Sequence, residues 1–138
     1  MKKYFTFLFA ISLVSTAAVA EVQVQDLWVR ASTGPNTAVY MKLNNTSGSG
    51  VSLINVSSPV CASAELHEIA DVEGAKRMQK ISAIHVPAKG NTSLEPGGIH
   101  IMLMALETPL TEGQKDIPLT LEFSHGEKVQ LTAPVKAQ

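Results

Sequence analysis

No stretch of this chain sustains a helical period. What it holds instead is a succession of short runs in which apolar and polar residues alternate, each closed by a turn signal. Side chains on a strand point to opposite faces in turn, so alternation of this kind is the mark of a half-buried strand. Such runs fall at 22–31, 37–43, 51–56, 62–70, 76–84, 92–94, 117–123 and 129–135. A further run follows Pro96-Gly97-Gly98 and ends at Leu106. Between them stand Ser32-Thr33-Gly34-Pro35-Asn36, Ser57-Ser58-Pro59, Asp71-Val72-Glu73-Gly74, Glu112-Gly113 and Gly126-Glu127, all rich in turn-forming residues. Short strands at regular spacing predict an all-β sandwich or barrel. The segment 106–114 has room for one helical turn at most.

The N-terminus reads as a leader rather than as part of that fold. Lys2-Lys3 is a basic start, Tyr4 to about Val14 is apolar, and Ala18-Val19-Ala20 is an A-x-A cleavage site. The expected organisation is a cleaved signal peptide over 1–20 and one domain over 21–138. The apolar stretch is short for a membrane span, and no second run of spanning length follows. The expected product is an exported, periplasmic protein of 118 residues (138 − 20). Loss of Lys2 and Lys3 leaves 9 basic against 12 acidic side chains, a net charge of −3 with histidine neutral. Nucleic acid and anionic lipid call for a basic face, so neither is expected as a partner. The single cysteine, Cys61, cannot form an internal disulfide and reads as a small buried apolar residue.

Chemistry concentrates on the run after Pro96-Gly97-Gly98. Alternation puts His100, Met102 and Met104 on one face and Ile101 and Leu103 on the other. Taken alone, two methionines and a histidine serve as core fillers. The rest of the chain changes that. His67, Met78, His100 and Met102 form the pattern H-x10-M-x21-H-x-M. Thioethers are soft ligands that favour Cu(I), and imidazole also suits copper. Two of each make a complete neutral set for a d10 ion, which has no electronic demand for planar geometry. His67 and Met78 flank the Asp71–Gly74 turn, so a hairpin can bring their segments together. Met104 lies outside the pattern and reads as packing beneath the site, Met41 as core, and His85 and His125 as surface or loop residues.

At these residues the chain resembles the periplasmic copper chaperones called PCu(A)C. The pattern above matches the family's copper motif without a gap. Trp28-Val29-Arg30-Ala31, Ala38-Val39-Tyr40, Glu65-Leu66-His67-Glu68, Val86-Pro87-Ala88, Pro96 through Leu106, and Pro118-Leu119-Thr120-Leu121 with Phe123 also look like family positions. The resemblance implies a cupredoxin-like Greek-key β-barrel and one Cu(I) per monomeric chain, held by His67, Met78, His100 and Met102. It further implies delivery of copper to the CuA centre of cytochrome c oxidase subunit II, with a Sco-type assembly protein acting nearby. Some members carry a His/Met-rich tail with more copper; the residues before Gln138 show no such pattern, so one site is expected.

Two other classes stand beside that reading. A blue-copper electron carrier needs two histidines, a cysteine thiolate and usually a weak axial methionine; here the first histidine, His67, comes after Cys61, against the usual order. A metal-free β-sandwich that binds partners would use all its methionines as core. No H-E-x-x-H, G-x-S-x-G or Gly-rich phosphate loop points to an enzyme.

Overall fold

The computed structural model describes residues 21–137; the expected leader, 1–20, lies outside them. The described residues contain no helix, and so none long and apolar enough to cross a membrane. The strands in chain order are β1 Val22–Arg30, β2 Thr37–Asn45, β3 Val51–Ser57, β4 Cys61–Val72, β5 Ala75–Ile81, β6 Ile84–Val86, β7 Asn91–Leu94, β8 His100–Leu106, β9 Ile117–Phe123, β10 Lys128–Ala133 and β11 Val135–Lys136. They form a larger sheet of order β11-β1-β2-β8-β4-β5, with β7 also on β2, and a smaller one of order β10-β9-β3-β6. Only β1 with β11 is parallel among these pairings.

The inward residues of the two sheets meet in one core. Leu53, Leu121 and Phe123 come from the smaller sheet; Val39, Leu43, Ile101 and Leu103 come from the larger, and all are fully buried. Each such side chain contributes about 1.5–3 kcal/mol by leaving water. On β9 the alternation is plain, with Ile117, Leu119, Leu121 and Phe123 inward. On β3 the register with β9 shifts between Leu53 and Asn55; this bulge leaves two successive residues, Ile54 and Asn55, outward and returns Val56 to the core.

Two runs that read as single strands are broken. The segment 76–84 ends its first strand at Ile81, and Ile84 starts β6 in the other sheet. β5 is exposed along almost its whole length, whereas Ile84 and Val86 are buried. The chain must cross between sheets to bury them, so Val86 also belongs to a strand rather than to the loop after it. The segment 129–135 is divided at Pro134, which has no N–H to give to a ladder. Its carbonyl accepts from Val29 N at 2.9 Å, and Val135 joins the larger sheet. The segment 106–114 forms no helical turn; Leu110 bridges to Ser32 instead.

The Asp71–Gly74 hairpin is as its sequence indicates. Val72 pairs with Ala75 around Glu73 and Gly74, both at positive φ (52° and 80°). Two central residues at positive φ make the tight turn whose twist matches antiparallel strands.

Candidate metal centre

The insertion of β8 between β2 and β4 builds the site. In the β4–β8 ladder His67 is directly opposite His100, and Glu65 is opposite Met102. In the β4–β5 ladder Met78 is opposite Ile69 and Lys80 is opposite His67. Glu65, His67 and Ile69 of β4 and His100, Met102 and Met104 of β8 therefore share the face turned away from the core, while Leu66, Ile101 and Leu103 point into it. The two imidazoles stand with ring centroids 5.7 Å apart, tilted by 57°.

His100 is 4% exposed although it lies on the outer face. The Pro96-Gly97-Gly98 turn folds back against it, with Gly97 at φ 85° and the Gly98 carbonyl 2.8 Å from His100 Nδ1. A carbonyl only accepts, so Nδ1 carries the proton in the neutral ring and Nε2 keeps its lone pair. His67 has the complementary arrangement. Its Nε2 lies 2.8 Å from Glu65 Oε2, and a carboxylate also only accepts, so here Nδ1 keeps the lone pair. That Nδ1 is buried and has no hydrogen-bond partner among the described residues. Each ring thus has one nitrogen anchored by an oxygen and one available to a metal, the arrangement usual for ligating histidines. The hydrogen bond from His67, then the charge of Lys80 at 3.7 Å, hold the Glu65 carboxyl below the usual carboxylate range.

The two thioethers differ. Met102 is half-buried on β8, next to His100 on the same face. Met78 is 51% exposed on β5, the last strand of its sheet. Along β4 their partners are Glu65 and Ile69, four residues or about 13 Å apart at ~3.3 Å per residue. The two methionines therefore approach from opposite diagonals of His67. They nevertheless line one cleft of about 300 Å³ together with His100, Tyr40 and Arg30. Among the described residues no group of three or more His, Cys, Asp or Glu side chains is placed to hold a metal ion, and the soft donors nearest the two imidazoles are the methionine sulfurs. A pair of imidazoles with thioethers, all neutral, suits a soft monovalent cation and leaves a divalent one poorly neutralised.

The remaining candidates fall elsewhere. Met104 is half-buried opposite Ser63, next after Met102 on the same face of β8, and does not line the cleft; it lies beside the site, not beneath it. Met41 is core at 2% exposure. His85 is exposed on β6, and His125 pairs with Glu127 at 2.8 Å. Cys61 begins β4, six residues or about 20 Å of strand from His67, which removes a shared thiolate–histidine centre. It is half-buried rather than buried, and the burial it has pushes its thiol pKa up.

Sequence reasoning left two features without a role. Glu65 anchors His67; its signal was the shared strand face at i and i+2. The other is a row across β1, β2 and β8. Trp28 and Tyr40 have ring centroids 4.8 Å apart, Tyr40 and His100 6.4 Å, and the Arg30 guanidinium sits 5.2 Å from the Tyr40 centroid. No local pattern announces that row, because its members come together only through the β1–β2–β8 pairing.

Comparison with known proteins adds the following. A family model described as "Putative lipoprotein LpqE-like" matches residues 22–135. The Leifsonia xyli subsp. xyli (strain CTCB07) protein described as "Putative lipoprotein Lxx21020" is 40% identical over 116 residues, covering 83% of this chain and 69% of the relative. The copper-bound PCuAC domain from PmoF2 superposes with a TM-score of 0.73 at 24% identity, over 88% of this chain and 97% of that one. The solution structure of Cu(I)-DR1885 from Deinococcus radiodurans superposes with a TM-score of 0.61 at 28% identity, over 83% and 79%. The expected fold class, a cupredoxin-like all-β barrel, is the one these structures share with the chain.

Proposed function

The chain belongs to the LpqE-like, PCuAC-type family, and from that premise we propose that it is an exported Cu(I) chaperone binding one copper ion through His67, Met78, His100 and Met102. The observation that carries this reading is the pairing of His67 with His100, each ring with one anchored nitrogen and one free, where His100 shares a cleft with Met78 and Met102 and His67 adjoins it without lining it. Copper is the cargo. The imidazoles supply directional σ-donors and the sulfurs supply softness, so the set holds Cu(I) without a charged ligand. A neutral set surrenders its ion to a partner with thiolates, which is what delivery requires.

The CuA centre of cytochrome c oxidase subunit II is our proposed acceptor, with a Sco-type protein acting alongside. Residues 1–20 are proposed as the cleaved leader, 21–138 as the single copper-binding domain, and the periplasm as its compartment. The description of relatives as lipoproteins supports export.

The deciding experiment is a Cu(I) titration of the purified protein against a chromophoric chelator. One equivalent bound, with loss of binding in His100→Ala, is the expected result. Unchanged stoichiometry and affinity in both His100→Ala and Met102→Leu would falsify the ligand assignment. Mixing the Cu(I)-loaded protein with the soluble domain of subunit II, and following the recipient's thiolate-to-copper absorption, separately tests the acceptor. The intact mass of the exported protein, expected to begin at Glu21, tests the leader.

A further inference from the structure

We propose that Arg30 is the anchor of a carboxylate-binding subsite in the wall of the copper cleft. The reading rests on the cleft being the copper site only for its purpose; the subsite itself can be tested on the metal-free protein. Arg30, Tyr40, Met78, His100 and Met102 line one cleft, and no acidic residue contributes to its lining. Among the described residues no carboxylate lies within 4.0 Å of the guanidinium. Its Nε is buried and has no hydrogen-bond partner among them. A buried charged donor left without an acceptor is costly and rare, so this one calls for an occupant.

The geometry selects the occupant's shape. The guanidinium carbon lies over the Tyr40 ring, 5.2 Å from its centroid, while its Nε–H edge meets no acceptor among the described residues. That edge is a planar fork matching the two oxygens of a carboxylate. The neighbouring hydroxyls are already committed: Thr37 Oγ1 donates to the Arg30 carbonyl at 2.6 Å, and Ser32 Oγ donates to the Asn36 carbonyl at 2.9 Å. Tyr40 offers a further donor from the same wall.

The subsite gives the cleft a means of sensing its load. The ligand set is neutral, so an occupied copper site adds one positive charge next to Arg30. A carboxylate then faces two cations in place of one and binds the loaded form more tightly; by reciprocity it also raises copper affinity. A carboxylate presented by the copper acceptor would recognise the loaded chaperone, whereas a free small carboxylate would only brace the site.

The test is an NMR titration of the protein, metal-free and Cu(I)-loaded, following the Arg30 side-chain Nε–H resonance in the wild type and the backbone amide resonances of residues 30, 37 and 40 in the wild type and every variant. Acetate is the free-anion probe. A capped Gly-Glu-Gly peptide with its Gly-Gln-Gly match is the probe for a protein-borne side chain. We expect a saturable shift with acetate, several-fold tighter in the loaded protein and abolished in Arg30→Gln, with Arg30→Lys keeping part of it. Binding of the Glu peptide but not its Gln match assigns the subsite to a protein partner; binding of acetate alone assigns it to small anions. A shift linear in acetate to high concentration, or equal in wild type and Arg30→Gln, overturns the subsite. Because the wild-type resonance is read directly, the test stands even if a variant fails to fold. It also separates from the copper reading: saturable binding to the metal-free protein survives loss of the copper assignment.

Discussion

The β8 side and the β5 side of the candidate centre are built to different standards. On β8, His100 is 4% exposed, its ring is oriented by the Gly98 carbonyl, and Met102 follows it on a strand paired on both sides. On β5, Met78 is 51% exposed on an edge strand that is joined only to β4. The sequence motif weighs all four residues equally. The structure sets three of them, His67, His100 and Met102, on paired inner strands and leaves the fourth, the flexible thioether of Met78, at the rim. An interior side chain is held by neighbours on every side, whereas an edge strand presents one free flank to solvent. Ligand exchange with a partner should therefore begin at Met78.

The largest effect that would sharpen this comparison is His100→Ala. It removes a proposed ligand and also leaves a void and an unanswered Gly98 carbonyl. We expect Cu(I) affinity to fall by more than the roughly 10–100-fold that loss of an outer-shell partner costs, together with about 1–3 kcal/mol of stability. Competition with a chelator and thermal unfolding read the two separately. Met78→Leu should behave differently: about tenfold weaker Cu(I) binding, ~1.4 kcal/mol, with stability changed by no more than about 0.5 kcal/mol because the site is exposed. Equal stability losses for the two variants would break that division.

An intermediate effect belongs to Glu65, which anchors His67 and is not among the proposed ligands. Glu65→Gln should weaken Cu(I) binding by about tenfold, the low end for an outer-shell partner, while copper stoichiometry stays at one. The pH dependence follows from the same pair. Glu65 has its folded-state pKa depressed by His67 and Lys80, so whatever it contributes to stability is present above its unfolded value and is lost only as pH falls through the lowered folded value. Both imidazoles must be neutral to ligate, so protons compete with copper. Cu(I) affinity measured on acidification should therefore fall with at most two protons taken up per ion released, and the thioethers should add nothing. A flat profile through the acid range is incompatible with two histidine ligands.

The smallest expected effect lies at the far end of β4. Cys61→Ser should leave Cu(I) stoichiometry and affinity unchanged. Burial raises the Cys61 thiol pKa, so the neutral thiol persists to higher pH than usual and its alkylation should lag behind that of a free thiol in mildly alkaline buffer. Loss of copper on this substitution would return the thiolate to the centre.

Local sequence determined a good deal of this protein. Alternation marked nearly every strand, Glu73-Gly74 marked its hairpin, and H-x10-M-x21-H-x-M named the candidate ligands, because face, turn and donor type are properties of neighbouring residues. It could not see that 76–84 divides between two sheets, since that depends on which core Ile84 and Val86 enter. Nor could it decide what meets what. A one-residue slip of β8 against β4 would turn His100 into the core and is forbidden by Ile101 and Leu103; a two-residue slip would preserve every face and yet part His100 from His67. Only the tertiary structure excludes that second slip, through the placing of β8 between β2 and β4 and the Pro96-Gly97-Gly98 turn that sets where the strand begins. The same placement brings Arg30, Tyr40 and His100 into one row, because pairing across three strands joins residues that no local pattern connects.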